Sequence, residues 1–231
     1  RCTTCGTDLE QKINGKISYI PVMSSTDKNK ISLNLLFPTI VGVADCSFHK
    51  RIEKPLIKHC LELKKKKIKG GTNWISNSTY NTSLTHDIFT DSKFSKLNIW
   101  IAEQVNQFVA QCKYTGVFAP STAWINIYEK NDYQEYHTHP DHCLSAIYFL
   151  KSNASKNASK NARTWFESPI DLEAHDPRTD EAHPITWSRV GYEPVPGRLL
   201  LFRSNTRHCV ERENHSQRIS LAYNFDLAGE Q

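Results

Sequence analysis

The chain has 231 residues, 39% of them hydrophobic and 10% aromatic, enough apolar mass for a sizeable core, which excludes disordered and collagen-like classes. No run of eighteen apolar residues occurs, and Arg1-Cys2-Thr3-Thr4-Cys5 lacks the apolar core of a signal peptide, so the expectation is a soluble, cytoplasmic protein with no membrane partner. The net charge of +5 sits in one run, Lys64, Lys65, Lys66, Lys67 and Lys69, without which acids and bases balance; lacking interleaved aromatics, it reads as a solvated helix end and argues against nucleic acid as a partner.

Residues 1–32 are polar and Lys-rich and read as an extension, with one short strand candidate at 17–22. The seven cysteines are an odd, scattered set, which points to reduced thiols; Cys2-x-x-Cys5 reads as an inert terminal pair, and Cys143 and Cys209 as packing residues. The body, 33–231, opens on a strand pattern at 33–43 interrupted at Pro38. Two helical patterns follow, at about 48–67 with Ile52, Leu56, Cys60 and Leu63 in one stripe, and at about 92–112 with Phe94, Leu97, Ile101, Val105, Phe108 and Val109 in another. After Gly116 the texture becomes strands between turn residues, at 122–128, 144–150, 163–167, 197–202, 208–211 and 217–226. This predicts a mainly β, α+β architecture: a sandwich or barrel backed by two helices. The repeat from Asn153 to Ala162 reads as an elongated hairpin loop, and the long segment Pro169 to Tyr192 as a lid or a surface excursion.

Of the ten histidines, His137 and His139 in Tyr136-His137-Thr138-His139-Pro140 stand two apart, so on a strand both would face one point, and His208 could meet them from a distant strand. Three such ligands with open positions suit Fe(II), and imidazole suits zinc as well. Arg218 and Ser220 share a strand face, and a guanidinium fork with a hydroxyl beside it suits a carboxylate. Asn126 and Tyr128 fall on the same interior by the same alternation.

The order Asn126-x-Tyr128, His137, His208 and Arg218-x-Ser220 resembles the double-stranded β-helix of the Fe(II)/2-oxoglutarate-dependent oxygenases. Leu36-Phe37-Pro38-Thr39, Trp124-Ile125-Asn126-Ile127, Tyr136-His137-Thr138-His139-Pro140, Leu144 to Phe149 and Pro196 to Phe202 are more narrowly similar to the 2OG-Fe(II) oxygenase family common in marine bacteria and their phages. The resemblance spans about residues 33–227. It implies His137 and His208 as iron ligands, Arg218 and Ser220 on the far carboxylate of 2-oxoglutarate, and Asn126, Tyr128 and Tyr148 lining the co-substrate pocket. It also implies Fe(II), 2-oxoglutarate and O2 as cofactors with ascorbate supportive in vitro, and a cytoplasmic setting in a bacterium or phage-infected host. The reaction implied is hydroxylation of a small-molecule or peptidyl substrate with release of succinate and CO2. The departure is His139, where most of the superfamily has Asp or Glu: His139 as a neutral third ligand, water in its place, and Asp141 reaching in are the three readings. A catalytically silent β-helix protein used as a binding or structural module is the alternative function.

Overall fold

The computed structural model describes residues 38–66, 79–83, 85–152, 162–170, 187–213 and 217–229, almost all within the unit Thr39–Gln231. In chain order the elements are β1 (Val41–Asp45), α1 (His49–Lys65), β2 (Tyr80–Asn81), a 3-10 turn (Ser92–Phe94) leading into α2 (Ser95–Gln111), β3 (Phe118–Tyr128), β4 (Gln134–His137) and β5 (Leu144–Lys151). They continue with β6 (Thr164–Glu167), β7 (Arg189–Tyr192), β8 (Arg198–Arg203), β9 (His208–Val210) and β10 (Arg218–Leu227). Both helices and the main strands occur where apolar periodicity placed them, whereas β2, β4 and β7 are additional to those ranges. The extension 1–32 with Cys2 and Cys5, the repeat at 153–161 and most of the lid segment lie outside the described residues.

The strands form two antiparallel sheets, one ordered β1-β8-β5-β10-β3-β2 and the other β4-β9-β6-β7. This is the double-stranded β-helix expected from the sequence, backed by two helices. Among the described residues no helix is long and apolar enough to cross a membrane.

Side-chain alternation in the six-stranded sheet divides the interior into two cores. Leu199 and Leu201 of β8, Ala146, Tyr148 and Leu150 of β5, and Leu221, Tyr223 and Phe225 of β10 pack with the stripes of α1 (Leu56, Cys60, Leu63) and α2 (Leu97, Ile101, Val105, Phe108). The opposite side chains, Ile147, Phe149, Leu200 and Phe202, meet Phe166 of the smaller sheet. Burying each such aliphatic or aromatic side chain contributes about 1.5–3 kcal/mol. α1 tolerates Pro55 because it lies on the exposed face, where the carbonyl deprived of an N–H partner can be hydrated. Two glycines allow close approach of helix and sheet. A Cβ on Gly42 would lie 2.7 Å from Phe108 Cδ2, and one on Gly197, at φ +92°, would lie 2.8 Å from His49 Cγ.

Candidate metal centre and carboxylate pocket

The smaller sheet brings the histidines together. His137 and His208 are direct cross-strand partners in the β4–β9 pairing, with ring centroids 4.2 Å apart. His139 arrives differently from the strand alternation expected: β4 ends at His137, with a register shift between Gln134 and His137, and His139 opens a turn, His139-Pro140-Asp141-His142, closed by the His142 N–H donating to the His139 carbonyl at 3.2 Å. The turn is pinned by the His139 N–H donating to the Ser204 carbonyl at 2.8 Å, and it lays the His139 ring parallel to His208 at 5.4 Å, with Trp124 at 5.6 Å. One ligand atom from each of the three imidazoles lies within 4.8 Å of the others. Asp141 is exposed and does not join this cluster.

The ring tautomers of two histidines are set by backbone. His137 Nδ1 stands 2.8 Å from the Glu135 carbonyl and His208 Nδ1 2.9 Å from the Thr206 carbonyl, so in both rings Nδ1–H donates and Nε2 is the nitrogen that carries the acceptor lone pair. Burial holds all three neutral: it drives His208 well below the usual imidazole range, lowers His137, and with the neighbouring His137 and His142 lowers His139 to about 3.

Beyond the histidines, Arg218 is 1% exposed. Its guanidinium donates to Thr164 Oγ1 at 2.9 Å and to the Ala162 carbonyl at 3.3 Å, and packs over the rings of Phe149 (5.0 Å) and Tyr128 (5.4 Å). Its Nε, also buried, has no protein partner. Desolvation lowers the pKa of Arg218, opposed by Tyr128 and Glu213. Ser220 follows on the same face of β10 and bonds to Tyr128, whose hydroxyl donates to Gln134 Oε1 at 3.0 Å and is pushed up to about 12 by burial. Asn126 accepts from Asn81 Nδ2 at 2.7 Å. All four residues line one inner cavity with His137, His139 and His208; it is narrow, about 20 Å³. A cleft of about 690 Å³ lies outside it, and Trp124, His139 and Asn224 line both.

Tyr148 is a correction. It was expected in the co-substrate pocket, but even-numbered β5 residues face the helices, and its hydroxyl bonds to His49 Nδ1 at 2.8 Å beside Trp100. Cys143 is exposed rather than packed; Cys209 does turn away from His208 and bonds to Tyr136. Sequence reasoning missed a buried polar network behind His139. Ser145 Oγ contacts Ser204 Oγ and donates to Asn224 Oδ1, both at 2.8 Å, while Asn224 Nδ2 lies 3.1 Å from Thr122 Oγ1 and 3.4 Å from His139 Nδ1. The available signal was alternation continued from Arg218 and Ser220 to Asn224.

Comparison with known proteins bears on the fold and on the span of chain that carries the cavity. A family model described as "Putative 2OG-Fe(II) oxygenase" matches residues 122–224. That span contains every residue of the inner cavity. Among solved structures, a prolyl-4-hydroxylase from Pseudomonas putida superposes with a TM-score of 0.59 at 14% identity, covering 83% of this chain and 94% of its own. A Trichoplax adhaerens prolyl hydroxylase in complex with a hypoxia inducible factor peptide gives 0.54 at 15% identity (80% and 83% covered). The non-heme epimerase SnoN in complex with Fe3+ and alpha ketoglutarate gives 0.58 at 11% (82% and 80%). At these identities the likeness establishes a shared fold. No curated protein matches the chain.

Proposed function

We propose that this chain is an Fe(II)- and 2-oxoglutarate-dependent dioxygenase that hydroxylates a small-molecule or peptidyl substrate. One observation carries the reading: three neutral imidazoles converge on one point, and the same interior holds a buried arginine whose Nε has no partner. The donor set fits the group, because the Nδ1–H of His137 and of His208 is committed to a carbonyl, which makes Nε2 the ligating nitrogen of each ring. When bound, the iron, with 2-oxoglutarate and O2, supplies the oxidising chemistry that releases succinate and CO2.

The chain's own residues bind, orient and exclude water. His137, His139 and His208 would hold the metal; being neutral, they leave its charge uncompensated, which favours a dianionic co-substrate. Arg218, with Ser220 beside it, would take the far carboxylate through the unpartnered Nε and its neighbour, and a charge-assisted bond of this kind contributes about 1.5–3 kcal/mol. Asn126 and Tyr128 would wall the pocket. Its volume, about 20 Å³, requires these side chains to part on binding, and the Tyr128–Gln134 bond is one contact in the way. With His139 Nδ1 against the Asn224 amide, the nitrogen open to a metal is Nε2. Nδ1 must then carry the proton, which the amide accepts once turned to present its oxygen, its nitrogen then facing Ser145.

The all-histidine set also favours a second reading, a silent binding module. Titration with Mn(II) and the inert analogue N-oxalylglycine separates the two: the oxygenase reading expects both to bind, the analogue dependent on Arg218. Binding of neither supports the module.

A further inference from the structure

On the helix side of the large sheet, His59, His86 and Asp91 each bring a ligand atom within 4.8 Å of the others. They come from separate places: α1, the loop after β2, and the N-cap of the 3-10 turn that leads into α2. His59 Nε2 lies 2.6 Å and His86 Nε2 3.0 Å from the same oxygen, Oδ2 of Asp91. The side chains are only 14%, 21% and 12% exposed. Asp91 Oδ1 has a separate task, accepting from the Lys93 N–H at 3.0 Å, so the carboxylate is held in place while Oδ2 faces both rings.

We propose that His59, His86 and Asp91 form a second divalent-metal site, of the zinc class, which fastens the segment after β2 to the two helices. Two imidazole nitrogens and one carboxylate oxygen, with an open side for water, are a competent zinc set. At tetrahedral angles, ligand bonds of about 2.0–2.1 Å place donor atoms roughly 3.3 Å apart. The observed 2.6 and 3.0 Å therefore open by about 0.7 and 0.3 Å on metal entry, which side-chain rotation of His59 and His86 supplies. The Nε2–H groups that bridge to Oδ2 without metal are replaced by bonds to the ion, the ring protons moving to Nδ1. The ring centroids of His59 and His86, 6.3 Å apart, leave room for an ion between them.

The consequence reaches the cleft. Ser83, Thr85, His86 and Asp87 form one wall of the 690 Å³ cleft onto which His139 opens. An ion at His86 would hold that wall against α1, so the site would govern the shape of the cleft without touching the barrel histidines.

The test uses Zn(II) alone, on the full chain carrying His137→Ala and His208→Ala so that the barrel centre is removed. Failure here is thereby independent of the oxygenase reading. Calorimetry and metal analysis after gel filtration should find one Zn(II) per chain, with affinity falling at least tenfold on adding Asp91→Asn, which keeps the N-cap acceptor. In the chain with its barrel intact, the same substitution should lower Zn(II) stoichiometry by one and abolish part of the Zn(II)-induced rise in Tm. Equal binding with and without Asp91→Asn and His86→Gln overturns the proposal, as does absence of bound Zn(II) in the folded barrel variant.

Discussion

Replacing Arg218 by Met separates ligand binding from folding. The guanidinium is 1% exposed, and its side-chain hydrogen bonds are those to Thr164 and Ala162. Removing it strands two buried acceptors, at about 1–3 kcal/mol each. It also relieves the desolvation of an unpaired charge, several kcal/mol in the opposite sense, with Met filling most of the volume. The two effects offset, so urea unfolding of metal-free Arg218→Met should give a stability within about 2 kcal/mol of wild type. For a bound carboxylate nothing offsets the loss: two charge-assisted bonds at about 1.5–3 kcal/mol each amount to roughly a hundredfold or more in Kd. Calorimetric titration of N-oxalylglycine into the Mn(II)-loaded protein reads this directly. Arg218→Lys should recover only part of the affinity, since an ammonium lacks the fork. An analogue affinity for Arg218→Met within about threefold of wild type would refute the assignment of the pocket.

Three further outcomes follow from the geometry. Asn224→Asp, which can only accept from His139 Nδ1–H, should retain Mn(II) binding, whereas Asn224→Ala should weaken it about 10–100-fold; calorimetry with Mn(II) checks both, and an unaffected Asn224→Ala shows that the amide does not orient the ring. In the metal-free protein the three barrel histidines have depressed pKa values in the folded state, so below about pH 6.5 the unfolded chain binds protons that the folded chain refuses. Stability should therefore be flat above that pH and fall as pH drops from 6.5 toward about 3, where His139 titrates; urea midpoints constant through this window would contradict the burial argument. Gly197→Ala forces a Cβ to 2.8 Å from His49 Cγ at φ +92° and should cost about 1–3 kcal/mol, lowering Tm; an unchanged melt would mean that α1 yields at no cost.

Alternation and helical periodicity made most of the architecture legible, because β3, β8 and β10 and both helices carry long patterned runs. β2 is two residues long, and β4 (Gln134-Glu135-Tyr136-His137) and β7 (Arg189-Val190-Gly191-Tyr192) each hold charged or polar residues or a glycine in four positions, leaving too little apolar alternation to register, whereas β6, of the same length, carries Trp165 and Phe166. The misplacement of Tyr148 has a specific cause: seven consecutive β5 residues, Leu144–Leu150, are buried, since one side packs on helices and the other on the smaller sheet. Such a strand has no polar face to set its phase. On β10 the phase was readable because a charged residue, Arg218, marked the inner face. His139 was placed beside His137 by strand reasoning, yet it lies past the end of β4 at the start of the turn through Pro140 and Asp141, held by a Ser204 carbonyl distant in sequence. The Ser145–Ser204–Asn224 network joins three separate segments, and only the assembled barrel reveals it.

The most direct test of the central claim is succinate production from 2-oxoglutarate by the purified chain with Fe(II), ascorbate and O2, alongside His208→Ala and Arg218→Met. Slow uncoupled turnover in wild type, abolished by His208→Ala and strongly reduced by Arg218→Met, is the predicted result. Succinate formed equally by all three, or by none while wild type binds neither Mn(II) nor N-oxalylglycine, would contradict it.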